Sequence, residues 1–270
     1  MDKITLENIL EPISLQNFFQ NYWGKKHLVI RRNKYKNLFT WEDLDNYLNR
    51  YPNIKSLQII EGTDKTKDGR WCLDKILKGK LKLPLYSKDT IYDFWKNKNK
   101  TFVIPFAEYE KQDLVDACFE FEKYFGHGQV NVYASPNANS KSFPAHADAT
   151  ENFLFHTEGK TKWTIYKEFT PDKPETVIDE FVLEPGDLLY IPSYMYHKVD
   201  TIGPRILLSI HFANKPDQTL DSFKITPYSQ NKRSKWYNWA PYKKIKVVKK
   251  VQHVKSNKSN WSKPYFKESK

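Results

Sequence analysis

The chain has 270 residues, 16% of them aromatic, with nine glycines and only two cysteines, Cys72 and Cys118. Two thiols exclude a disulfide scaffold and a four-cysteine zinc site, and the aromatic content excludes a disordered chain. The net charge of +12 is confined to one end: 231–270 carries thirteen Lys and Arg against one acid, Glu268, while the rest balances 31 bases with 31 acids.

No apolar run approaches the ~20 residues of a membrane span. The N-terminus lacks the basic-then-apolar order of a secretory signal. The expectation is a soluble cytoplasmic protein that makes no membrane contact.

In chain order, Leu6 to Tyr22 has helical spacing, with Ile9, Ile13, Phe18 and Phe19 as its apolar stripe and Pro12 dividing it in two. Leu28-Val29-Ile30 predicts a strand. Thr40-Trp41-Glu42-Asp43 has the pattern of a capping box and opens a helix through Leu48. Leu57 to Ile60 predicts a strand, Thr90 to Trp95 a short helix, and Lys96 to Lys100 an exposed turn. Leu114 to Phe125 predicts a helix with Val115, Cys118, Phe119 and Phe121 available for burial. Strands then dominate: Gln129 to Ala134, Asn152 to His156, Trp163 to Tyr166, Phe181 to Leu183, Leu188 to Ile191 and Ile206 to Phe212. Short strands punctuated by Gly and Pro predict a mainly β protein with flanking helices, arranged as a jelly roll. The expected divisions are a helical and strand region at 1–95 packing on a core at 96–230, then a basic arm at 231–270.

That arm interleaves Lys with aromatics, as in Lys235-Trp236-Tyr237 and Tyr242-Lys243-Lys244. Such a pattern suits phosphate contacts with base stacking. It equally suits a solvated extension whose aromatics dock on the body.

The stretch from Phe143 to His197 carries the chemistry. His146 and Asp148 are two residues apart, so extended backbone presents both on one face. His197 follows Glu184-Pro185-Gly186-Asp187, an apolar run from Leu188 to Ile191, and Pro192. Two imidazoles and one carboxylate with open positions form the ligand set of non-haem Fe(II) oxygenases. His27, His127 and His253 have no ligand-like neighbours, and His156 reads as a structural histidine.

These motifs resemble the JmjC and cupin-like oxygenases that use Fe(II) and 2-oxoglutarate. Asn17 to Asn49, Asn131-Val132-Tyr133 and the Gly159 to Trp163 segment resemble the ribosomal-oxygenase (cupin-4) branch, and Asn152-Phe153-Leu154 is similar to small JmjC hydroxylases. The resemblance implies a double-stranded β-helix with Fe(II) on His146, Asp148 and His197, 2-oxoglutarate as cosubstrate, and O2 as oxidant. It also implies that Asn131, Tyr133, Asn152 and His211 line the cosubstrate pocket. In that family a Lys or Arg two residues after the strand glycine binds the far carboxylate of 2-oxoglutarate; here that position is Thr161. Arg205, opening the last strand, is the expected substitute, assisted by the Thr161 hydroxyl. Lys162 is the alternative if the strand register differs. The implied activity is dioxygenase hydroxylation of a protein side chain, a ribosomal protein being the expected substrate. The alternatives are an RNA hydroxylase using the basic arm and a non-enzymatic metal-binding cupin.

Overall fold

The computed structural model describes residues 4–31, 34–50, 57–61, 64–65, 73–78, 81–126, 128–167 and 176–213. The basic arm at 231–270, Cys72, His127 and His253 lie outside them. No helix among the described residues is long and apolar enough to cross a membrane.

The elements run α1 Leu6–Leu10, α2 Leu15–Asn21, β1 Leu28–Ile30, α3 Trp41–Leu48, β2 Gln58–Glu61, β3 Asp64–Lys65, β4 Leu73–Lys78, β5 Leu81–Tyr86, α4 Lys88–Lys96, β6 Thr101–Pro105, α5 Gln112–Phe125, β7 Gly128–Ser135, β8 Thr150–Tyr166, β9 Val177–Leu183, β10 Leu188–Ile191 and β11 His197–Ala213. The main sheet has the order β1-β10-β8-β11-β7-β6-β2-β3, with β9 on the outer half of β8, and β4-β5 form a separate hairpin. Its pairs are antiparallel. The expected mainly β architecture with flanking helices is the one observed.

The local causes are visible in the residues. Thr5 and Ser14 cap α1 and α2 on either side of Pro12, splitting the helical pattern in two. Thr40 and Asp43 close a reciprocal capping box on α3. In α5 the buried side is Leu114, Ala117, Cys118, Phe121 and Phe125; Val115 and Phe119 are half-buried. Phe121 meets Phe153 at 4.8 Å and Phe212 at 5.4 Å between ring centres. Glu120, on the same helix, is buried and accepts the backbone N–H of Leu6 at 3.1 Å. A carboxylate at the start of α1 satisfies an orphan donor and complements the helix dipole.

Two expectations need correction. Asn152–His156 and Trp163–Tyr166 are not separate strands but parts of the single 17-residue β8. Gly159 between them bends the strand without ending it. Its φ is +70°, and a Cβ there would stand 1.7 Å from the Pro204 carbonyl oxygen. The register of β8 against β11 shifts between Thr201 and Arg205 at this bend. The fully buried β6 was absent from the expected strands: Thr101-Phe102-Val103-Ile104-Pro105 follows an exposed turn, and its terminal proline hides its character.

The N-terminal region is woven into the sheet. β1 pairs with β10, and β2 pairs with β6. The Gly24 N–H donates to Tyr190 Oη at 2.8 Å, and that hydroxyl donates to the buried Glu151. Ser193 donates to the other oxygen of Glu151 at 3.1 Å. Phe18 and Trp23 pack on the Tyr190 ring at 4.9 and 5.8 Å.

Candidate metal centre

His146 and His197 lie across from each other in an isolated antiparallel bridge. Each backbone N–H donates to the other's carbonyl, at 2.9 and 2.8 Å. This fixes two imidazoles from distant sequence side by side, with ring centres 4.6 Å apart. Asp148 follows two residues after His146, and its carbonyl accepts the N–H of Tyr194 at 2.6 Å. The turn that delivers His197 is thereby pinned to the segment that delivers the other two.

The donor atoms of His146, Asp148 and His197 all lie within 4.8 Å of one another. His146 Nδ1 is 2.8 Å from the Pro144 carbonyl, and His197 Nδ1 is 2.9 Å from that of Met195. A carbonyl only accepts, so each Nδ1 carries a proton, and in the neutral ring Nε2 is the nitrogen left with a lone pair for a metal. The Nε2 atoms lie 3.6 and 3.8 Å from the Asp148 oxygens. Burial lowers the pKa of His197, and the charge of His146 pushes the same way against the Met195 bond. The neutral, ligating form is favoured.

The three donors open into a cavity of about 260 Å³ that Asn131, Tyr133, Asn152, Arg205 and His211 also line. Asn152 Nδ2 donates to Asp148 at 3.3 Å, and its Oδ1 accepts from Ser209 at 3.0 Å. That orients the carboxylate from behind. Burial raises the pKa of the Tyr133 hydroxyl, keeping it a protonated donor.

Arg205 is 1% exposed. It stands opposite Ser135 on β7 and Gly159 on β8. Its Nε donates to Ser135 Oγ at 3.1 Å; the Ser135 and Thr101 hydroxyls are 2.9 Å apart, and Thr101 donates to the Lys141 carbonyl at 2.7 Å. Nη1 has no partner among the described residues. Burial lowers the guanidinium to about 10, so it remains a cation at neutral pH.

Thr161 departs from expectation. It does not line the cavity, and its hydroxyl accepts the Trp163 indole N–H at 3.0 Å. Trp163 lines the wall instead and lies 5.8 Å from the His197 ring. Lys160 and Lys162 face outward, paired with Glu184 at 2.5 Å and Glu180 at 3.0 Å. Ser209 and Trp163 escape a reading of individual motifs, yet strand alternation with His211 and Thr161 points to both.

Residues 101–220 match the JmjC domain. The chain is 30% identical over 218 residues to ribosomal oxygenase 2 of Rattus norvegicus, a match covering 72% of this chain and 43% of that protein. It is 27% identical over 226 residues to the bifunctional lysine-specific demethylase and histidyl-hydroxylase NO66 of Dictyostelium discoideum, covering 76% and 41%. The chain thus spans less than half the length of these relatives. The Escherichia coli ribosomal oxygenase YcfD, solved with cobalt and 2-oxoglutarate, superposes with a TM-score of 0.54 at 16% identity, covering 96% of this chain and 61% of that one. The shared fold is the double-stranded β-helix of cupins. By its sheet and its match over residues 101–220 the chain carries a JmjC domain, and it is similar to the ribosomal-oxygenase type.

Proposed function

We propose that the chain is an Fe(II)- and 2-oxoglutarate-dependent dioxygenase that hydroxylates a protein side chain, with a ribosomal protein as substrate. The observation that carries this is Arg205. A buried cation whose Nη1 has no partner among the described residues lines the same cavity as two imidazoles and a carboxylate. Such a cation is costly to bury without an anion. A dicarboxylate that reaches both ends of the cavity supplies one.

The residues fit the absent groups. Two imidazoles and a carboxylate suit a divalent first-row ion and leave positions open. When bound, iron and 2-oxoglutarate supply the chemistry that places one oxygen atom of O2 in a substrate C–H bond and releases succinate and CO2. The chain's own residues orient and exclude. Pro144 and Met195 hold the imidazole tautomers, while Asn152 and Ser209 set the Asp148 carboxylate. Arg205 anchors the far carboxylate in place of Thr161, and Asn131, Tyr133 and His211 offer polar contacts along the wall. Trp163, Leu154 and Leu207 keep the floor dry.

The test is mass spectrometry of ribosomal proteins and RNA treated with the active protein and with its Asp148→Ala variant. Gain of one oxygen on a protein side chain, with stoichiometric succinate, is expected. Oxygen gained on RNA instead supports the second reading, an RNA hydroxylase, which the thirteen bases of 231–270 favour. Metal binding without succinate release identifies a non-enzymatic cupin.

A further inference from the structure

Beside the candidate metal ligands one edge of β11 is unpaired among the described residues, with Val199 and Thr201 only 7% and 9% exposed. His197 turns its backbone N–H and C=O away from β8, exchanging both with His146. In an antiparallel ladder that orientation returns at every second residue. Val199 and Thr201 therefore face the same side as His197, and Lys198 and Asp200 face β8. β7 covers this side of β11 only from Arg205 onward.

The segment placed to cover the gap is 138–144. Continuing the His146–His197 bridge would set Pro144 opposite Val199 and Ser142 opposite Thr201. Proline has no N–H to give the Val199 carbonyl. Its own carbonyl accepts His146 Nδ1 instead. Further along, the Lys141 carbonyl is drawn off to Thr101. The Thr201 hydroxyl is buried with no partner among the described residues. Between the two runs lies a slot of about 440 Å³, which shares Ser142, Phe143 and Val199 with the metal cavity.

An unpaired strand edge is a row of donors and acceptors at fixed spacing, and another polypeptide strand is the ligand that matches it. We infer that the protein substrate docks here as an extended strand, adding to the Val199–Thr201 edge. Its backbone bonds hold it in register with His197, and every second side chain faces inward, so that one enters the metal cavity past Phe143. This inference rests on the proposal that the substrate is a protein.

The experiment uses the full chain with Mn(II) and 2-oxoglutarate, synthetic peptides tiled across ribosomal proteins, and RNA oligonucleotides as the second probe. Amide hydrogen exchange at Val199 and Thr201 is read alongside hydroxylation under Fe(II). Both amides are expected to exchange rapidly in the protein alone and to slow with a peptide that is hydroxylated. N-methylating alternate backbone amides of that peptide should weaken it about fivefold to tenfold for each bond removed. A hydroxylated peptide that leaves both amides unchanged overturns the docking site but not the protein-substrate reading. If no peptide binds or is hydroxylated, both fall, and binding of RNA in that case selects the second reading. Amides already protected without peptide show that the chain covers its own edge, and the docking inference is overturned.

Discussion

Arg205 and Ser135 stand opposite each other in the β7–β11 ladder, and the guanidinium Nε donates to the Ser135 hydroxyl at 3.1 Å. That bond uses one donor and leaves Nη1 for a ligand. Arg205→Ala should weaken 2-oxoglutarate binding about tenfold to a hundredfold, the loss expected for a buried charge-assisted bond. Lys162→Ala should change it less than twofold, since Lys162 pairs outward with Glu180. Calorimetric titration of 2-oxoglutarate into the Mn(II) protein measures both. A damaging Lys162→Ala beside a silent Arg205→Ala would reverse the assignment.

Gly159 sets how close Arg205 can come. An alanine Cβ there meets the Pro204 carbonyl oxygen at 1.7 Å, at a φ of +70°. The strands must separate, and the left-handed backbone adds strain. Gly159→Ala should lower unfolding stability by about 3 kcal/mol. It should also weaken 2-oxoglutarate more than pyruvate, which lacks the far carboxylate, while Mn(II) affinity holds. Equal losses for both acids would mean that the glycine serves the fold alone.

Each candidate ligand lies in a set with no spare member among the described residues. His146→Ala, Asp148→Ala and His197→Ala should each abolish iron binding and succinate release. Calorimetric titration of Mn(II) reports binding without turnover. Full activity in Asp148→Ala would exclude this set.

His156 is 1% exposed, and burial first, then the charge of Arg205, lowers it from 6.5 to about 4. Between those values the unfolded chain takes a proton that the folded protein refuses. Stability is therefore complete above about pH 6.5 and is lost as pH falls toward 4, with about 2 kcal/mol gone by pH 5. His156→Gln should lose that share of its acid sensitivity. Urea unfolding of both proteins at pH 7 and pH 5 checks it, and parallel pH dependences would assign the sensitivity elsewhere.

The arm at 231–270 should tether the protein to rRNA. Counterion release predicts that log affinity falls with log salt by about 0.7 to 0.9 per phosphate neutralised. A protein ending near Gln230 should bind rRNA weakly, with a shallow salt slope, yet still turn over peptide at high concentration. Undiminished RNA affinity after that truncation would place the RNA site on the body, and failure to fold would make the arm part of the core.

The sequence makes the candidate ligands legible because their geometry is local: a two-residue spacing on extended chain, and a histidine closing a turn. The alternating strands and the Thr40 cap are legible for the same reason. Arg205 comes forward through its place at the opening of the last strand, eight residues past His197. Other features depend on contacts between distant segments. Thr161 carries no sign that Trp163 will take its hydroxyl, and Gly159 reads as a break when it is a bend held by Pro204. The slot beside Val199 depends on Pro144, 55 positions earlier, having no N–H with which to continue the His146–His197 bridge.

The JmjC match begins at residue 101, but the sheet does not. β1 seals the outer edge of β10, β2 seals that of β6, and Gly24 reaches Tyr190 beside the buried Glu151. Removing everything before residue 101 would bare two hydrogen-bonding edges and strip the aromatic cover from a buried carboxylate. Bare edges recruit other chains. The matched domain is thus a unit of kinship rather than a complete sheet, and β1 and β2 are the strands that close its edges.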